Sequence, residues 1–217
     1  MNIMQQPMAA RRCRLIVAGL SLISLCACSM LRPTVTPPTL YYALDSGRLG
    51  APAPALAAAA LAATAPTLII NPPHAAAGFD SPRIIYLRET HKLDYFAHHQ
   101  WVDPPARMLG PLLVTAIERS GVFRAVVLTP GAASGELRLD TEIIRLQHEF
   151  QTSPSQVRFT LRATLVDDKT RRVLAGREFE ALASASSEDA YGGVVAANHV
   201  VQTVLKELSQ FLAERQQ

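Results

Sequence analysis

Val157-Arg158-Phe159-Thr160-Leu161-Arg162-Ala163-Thr164-Leu165 alternates apolar and polar side chains without a break. A period of two puts every apolar member on one face and every polar member on the other, so this is a half-buried strand with one wet face. Toward the amino terminus, Leu137, Leu139, Thr141 and Ile143 sit on odd positions, whereas Ile144, Leu146, His148 and Phe150 sit on even ones. One extra residue near Ile143-Ile144 returns both halves to a single face, which predicts a β-bulge there. Toward the carboxyl terminus, Asp167-Asp168-Lys169-Thr170 is a turn signal leading into the run Val173–Ala183. Together the three segments predict an antiparallel meander. Beyond them, Ser186 with Asp189 three residues later resembles a capping signal. Val194, Ala197, Val201, Val204, Leu208 and Phe211 then form the stripe of a long final helix.

The first half alternates strands with one helix. Tyr41–Leu44 and Thr67–Asn71 are short β-type runs, the second stopped by Pro72-Pro73. Arg83–Arg88 and Leu93–His98 flank Glu89-Thr90-His91-Lys92 as the arms of a hairpin. Asp103 before Pro104-Pro105 reads as an N-cap followed by proline. Leu109, Leu112, Leu113, Ala116 and Ile117 then fall on one helical face. Pro111 lies within that pattern, so the regular helix is expected to begin there, after a looser turn. Ser120-Gly121 closes it, and Val122–Leu128 is the next strand. The class is α+β or α/β, with two main helices and a carboxyl-terminal antiparallel meander.

Ahead of this domain lies an export address. Arg11, Arg12 and Arg14 precede an apolar run from Leu15 to Leu25, which is too short for a membrane span of about 20 residues. Leu25-Cys26-Ala27-Cys28 resembles a bacterial lipobox, with Leu at −3, Ala at −1 and Cys28 as the acylated residue. The alternative is an ordinary signal peptide cut nearby, which leaves Cys28 a free thiol. After cleavage Cys28 is the last of the three cysteines, so no disulfide forms despite an oxidising compartment. Ser29 rather than Asp follows it, which by resemblance to sorted lipoproteins favours the outer membrane. Ser29–Thr39, with Pro33, Pro37 and Pro38, reads as an extended tether reaching roughly 30 Å at about 3 Å per residue. The expected division is 1–27 signal peptide, 28–40 acylated cysteine and tether, and 41–217 folded domain. Between Arg48 and Asp80 no residue is charged, but ten of the fifteen residues Ala51–Ala65 are alanine and prolines recur. Alanine supplies little transfer energy and proline breaks a spanning helix, so this is a surface loop with one helical turn between Leu56 and Ala63.

Composition narrows the chemistry. The chain has 217 residues, 49% of them hydrophobic, which suits one ordinary domain and excludes a mainly disordered chain. Its formal charge of +3 arises from the three leader arginines, so the mature chain is neutral and no nucleic-acid reading follows. Gly-x-Ser-x-Gly, a phosphate-binding glycine loop and His-Glu-x-x-His are all absent from the sequence. His98 and His99, adjacent on a strand, point to opposite faces and are poorly placed to share a metal, with or without His91. No catalytic residue, metal or cofactor is expected. Asp167-Asp168 supports a turn, Arg158 and Arg162 belong to a wet sheet face, and Trp101 reads as a packing anchor. Alternating strands and amphipathic helices use up the apolar residues, which leaves no large lipid cavity in so small a domain.

Four segments resemble a known family. Tyr41-Tyr42-Ala43-Leu44 is similar to its opening strand, and Phe79-Asp80-Ser81-Pro82-Arg83-Ile84-Ile85-Tyr86-Leu87-Arg88 to its Asp-Arg-Pro-x-Ile-Val-x-Arg segment. Gln100-Trp101-Val102-Asp103-Pro104 and Ser120-Gly121-Val122-Phe123 resemble its Arg-Trp-Ala-x-Pro and Ser-Gly-x-Phe signatures. The family is the ABC-type transport auxiliary lipoproteins, which includes the outer-membrane lipoprotein of paraquat-inducible lipid-transport systems. Ser81 and Gln100 stand where the family often carries Arg. The resemblance implies an α/β sandwich with a mixed sheet. It also implies a non-catalytic periplasmic lipoprotein working with an ABC permease and ATPase and a mammalian-cell-entry-domain protein. Such systems move phospholipids or other hydrophobic molecules between two membranes.

The partner contact is expected around His98–Asp103, where aromatic and polar residues meet outside a strand, through His99, Gln100, Trp101 and Asp103. Two other readings stand beside this one. The first is a structural assembly or docking lipoprotein of an outer-membrane complex without a transport role. The second is a hydrolase with no sequence signature. Oligomeric state is left open, a homo-oligomer included.

Overall fold

The computed structural model describes residues 37–45, 65–131 and 133–216. Cys28, the signal peptide and the helical turn expected between Leu56 and Ala63 lie outside them, as does the expected tether up to Thr36. The described elements run in the order β1 (Leu40–Tyr42), β2 (Thr67–Ile70), β3 (His74–Ala75), β4 (Arg83–Leu87), β5 (Leu93–Trp101), α1 (Pro105–Glu118), β6 (Ala125–Leu128), β7 (Leu137–Glu149), β8 (Gln156–Asp167), β9 (Val173–Ser184) and α2 (Ala190–Glu214). All belong to the unit Thr39–Gln217.

β7 is the spine of one mixed, open sheet. Its 13 residues span about 43 Å at about 3.3 Å each. That length lets three short strands, β2, β3 and β4, pair in parallel along one edge. The other edge pairs antiparallel with β8, which pairs antiparallel with β9. Outside β2 lies β6, and outside β4 lie β5 and then β1. The meander is therefore as expected. The register between β7 and β8 shifts between Ile143 and Arg145, as the parity slip requires, and Leu139, Ile143, Leu146 and His148 all turn inward and are buried.

The inward face and both helices share a single core. Val157, Phe159, Leu161, Ala163 and Leu165 of β8 are each at most 2% exposed, and the predicted α2 stripe is buried throughout. α2 lies on β8 and β9, while α1 touches α2, β3 and β6. On the opposite face Arg158 bridges Glu149 and Glu180, and Arg162 bridges Glu142 and Glu178. Thr160, expected to be wet, is buried because the ladder covers it and its hydroxyl donates to Glu180 at 2.8 Å.

Several boundaries differ from expectation. α1 starts at Pro105 and runs through Pro111 without a break. Pro111 and Arg107, whose carbonyl Pro111 leaves without its helical donor, are both exposed, so the lost hydrogen bond falls on the solvent side. Asp103 is not the N-cap. Pro104 holds that position without a side-chain cap, and Asp103, one residue too early to reach the first free N–H groups, pairs with Arg107 at 3.0 Å. Asp189, rather than Ser186, caps α2, accepting from the Gly192 N–H at 2.8 Å. β6 begins only at Ala125, because Val122–Arg124 first carry Phe123 into the core. Gly121 closes α1 in the left-handed region (φ 66°).

Candidate functional site

Three of the quoted motifs meet at one corner of the sheet. β1 runs parallel to β5 and sets Leu40, Tyr41 and Tyr42 opposite His99, Gln100 and Trp101. On the other side of β5, Arg83 of β4 is the antiparallel partner of Gln100. Gln100 is thus flanked by Tyr41 and Arg83. The segment His98–Trp101 was expected outside a strand, but it forms the end of β5.

A step in β5 decides what this corner presents. Between the pairs Ile85–Tyr95 and Arg83–Gln100, β5 advances five residues while β4 advances two. An odd excess exchanges the faces of a strand. Phe96 before the step and His99 and Trp101 after it therefore look to the same side, and the Phe96 and His99 rings meet edge-on at 6.1 Å. Trp101, 3% exposed, belongs to the core, so it holds the corner and offers a partner little. His99 shares a hydrogen bond of 3.0 Å with the Tyr42 hydroxyl and stacks on that ring. Of the expected contact residues, the structure brings together His99, Gln100 and Trp101. Asp103 is tied to Arg107 at the start of α1, and His91 sits in the β4–β5 turn at φ 68°.

The corner is capped by exposed apolar groups that the sequence reading missed. Leu40, Tyr41, Val102, Tyr191 and Val195 account for five of the ten large hydrophobic residues left exposed in the described chain, Tyr41 and Tyr191 being the most open at 62% and 60%. Tyr191 lies 6.4 Å from Tyr42 across the β1–α2 contact. Asn198 ties that contact down, donating to the Ala43 carbonyl and accepting from the Asp45 N–H. The signal was available. Tyr191 and Val195 are four apart on α2 and lie off its buried stripe, and Tyr41 faces opposite to Tyr42. Tyr41 therefore opens to the side of Gln100 and Tyr191 to the side of Tyr42, and an exposed tyrosine suits a contact surface, since it supplies a large apolar face and a polar tip at little entropic cost.

Behind the corner, His148 is the one buried imidazole among the described residues, 2% exposed. Its Nε2 lies 2.8 Å from the Ser155 hydroxyl, Phe150 packs on its ring at 4.1 Å, and Nδ1 has no protein partner. Burial holds its pKa below the usual histidine value, against the opposing pull of Glu188 and Asp189. Gly193 of α2 packs directly on the ring. Among the described residues no three His, Cys, Asp or Glu side chains gather to hold a metal, and no helix is long and apolar enough to cross a membrane.

Comparison with known proteins places this architecture. A family model described as the ABC-type transport auxiliary lipoprotein component matches residues 48–210. A Xanthomonas campestris protein of family DUF330 is similar in structure, with a TM-score of 0.70 and 25% identity, covering 82% of this chain and 96% of its own. An uncharacterized protein superposes with a TM-score of 0.59 at 11% identity, over 82% of this chain and 98% of that one. A hypothetical protein from Chlamydia trachomatis does so at 0.50 and 9% identity, over 69% and 96%. The last two likenesses are of fold alone. No curated protein sequence matches the chain.

Proposed function

Since the chain belongs to the family of ABC-type transport auxiliary lipoprotein components, we propose that it is the outer-membrane, periplasm-facing docking station of an intermembrane lipid transport system. In this reading Cys28 carries the acyl anchor, and the proline-rich segment after it keeps the domain within a tether length of the membrane, at high effective concentration for its partner. The partner is a mammalian-cell-entry-domain protein reaching from an inner-membrane ABC permease. The ATPase is another subunit, and the domain performs no chemistry of its own.

One observation carries the docking assignment. Motif segments far apart in the sequence converge on the β1–β5–β4 corner, and that corner leaves Tyr41 and Val102 exposed beside Gln100. Gln100, in the expected contact segment, has Tyr41 and Arg83 on either side, whereas His99 and Trp101 hold the corner from within.

The test is co-purification of the lipidated protein from cell envelopes. Tyr41→Ser, Gln100→Ala and Val102→Ser together should sharply reduce recovery of the permease and mammalian-cell-entry subunits while leaving the melting temperature nearly unchanged. Unchanged recovery moves the docking surface elsewhere. Recovery of outer-membrane proteins with no ABC permease in any preparation replaces this reading with the structural assembly lipoprotein. Mass spectrometry of the mature amino terminus should show an acylated Cys28, and an unmodified terminus at another residue rejects the anchor.

A further inference from the structure

Four strands pair on one side only, β1, β3, β6 and β9. The first three have three, two and four residues, short enough to offer a neighbour little. β9 has 12. Among the described residues no strand pairs with the side of β9 turned away from β8. From Ala175 to Ser184 it keeps an unbroken register with β8, the irregularity falling between Val173 and Ala175. Alternate residues of an antiparallel ladder turn their N–H and C=O groups away from the paired strand, so β9 presents a regular row of them along its open side. Natural sheets blunt such an edge with proline, lysine, a bulge or a charge aimed inward. β9 contains neither proline nor lysine. Arg177, on the helix side, lies over the Phe179 and Phe211 rings at 4.9 and 6.0 Å, which holds it back against the core.

The side chains define what fits. On the outer face two rows of charge cross the meander, Glu149–Arg158–Glu180 and Glu142–Arg162–Glu178. Each arginine is shared between two carboxylates, so each row keeps a net negative charge and ends at the open edge on an acid. Glu178 and Glu180 are two residues apart, about 7 Å along the strand, and their side chains are 49% and 40% exposed. A further strand with a base opposite each continues the alternation of charge. A second copy paired antiparallel about the middle of β9, with faces matched, instead sets Glu178 against Glu178 or Glu180, which like charges disfavour. On the helix face Ala175, Ala181 and Ala183 are small residues against which larger apolar side chains can pack.

We propose that β9 takes up, as a tenth strand of the sheet, an extended segment of a partner protein with Lys or Arg at alternate positions opposite Glu178 and Glu180 and apolar residues between them. Main-chain hydrogen bonds supply the attachment, and the two bases supply the register. The site is separate from the β1 corner, since β9 lies beyond β8 on one edge of β7 and β1 lies beyond β4 and β5 on the other.

The experiment uses the full mature chain carrying Cys28→Ala. The probe is the blocked peptide Thr-Val-Lys-Val-Lys-Val-Thr, labelled with fluorescein and followed by fluorescence anisotropy. Saturable one-to-one binding is expected, and the counterpart with Glu in place of both Lys should bind at least about tenfold more weakly. N-methylation of the Val amides blocks one edge of the peptide and N-methylation of the Lys amides blocks the other, so one methylated peptide should bind and the other should not. Glu178→Gln with Glu180→Gln should weaken the Lys peptide by about three- to tenfold, with melting curves showing that the fold persists. Bound peptide should slow amide exchange in β9 and leave β1 unchanged. Absent or non-saturable binding overturns the proposal, as does equal binding of the Lys and Glu peptides, or equal binding or equal loss of the two methylated ones. A dimer that the Lys peptide dissociates assigns the edge to a second copy and overturns it as well. Because these measurements read a peptide on the isolated protein, none of them bears on the docking assignment.

Discussion

Gly193→Ala tests how closely α2 lies on the sheet. A Cβ at Gly193 would sit 2.5 Å from His148 Nδ1, 3.1 Å from Cε1 and 3.2 Å from Cγ. Ordinary contact begins near 3.4 Å, so the helix and ring must separate by about 0.9 Å. The ring has little freedom to yield, since Ser155 holds Nε2 and Phe150 and Phe96 pack against it. Overpacking of this kind costs about 1–3 kcal/mol. Alanine's better helix propensity returns about 1 kcal/mol. The net loss is then about 0–2 kcal/mol, and at about 2–4 °C per kcal/mol for a domain of this size the melting point falls by up to about 8 °C. Urea unfolding followed by circular dichroism gives the free energy directly. In a His148→Ala background the same substitution meets no ring and should stabilise by up to about 1 kcal/mol, so the two positions couple by about 1–3 kcal/mol. Equal effects of Gly193→Ala in the parent and His148→Ala backgrounds would refute the close approach.

Two further outcomes follow from the same region. His148 is held neutral by burial, so the unfolded chain binds its proton more tightly than the folded one. Its stabilising contribution is complete above pH 6.5, the ordinary histidine value, and is lost as pH falls from there toward the lowered folded-state value, at no more than about 1.4 kcal/mol per pH unit. Urea titrations across that range should show the decline in the parent and not in His148→Gln. The carboxylates held low by their partners, Glu188 by the Ser155 N–H and Asp168 by Arg138, act only below the ordinary carboxylate range and leave this window clear. Asp189→Ala removes the α2 cap to Gly192 and the Ser187 hydrogen bond. It should cost about 1 kcal/mol, read as a drop in melting temperature that Asp189→Asn largely avoids.

Elements with a strong period were legible from the chain alone. The β8 alternation, the β7 bulge and the α2 stripe each follow from residue type and spacing, because sheet and helix geometry turn one-dimensional order directly into a face. The four motif segments, read as short ordered patterns, pointed to the family that the match over residues 48–210 shows. Only the folded chain decided which faces meet. The parallel pairing of β1 with β5, 59 residues on, and the step within β5 place Gln100 between Tyr41 and Arg83 and send Trp101 inside. Non-local pairing leaves no trace in a local period. Asp103 carried a plausible cap signal, yet a single residue of offset made it an ion-pair partner of Arg107.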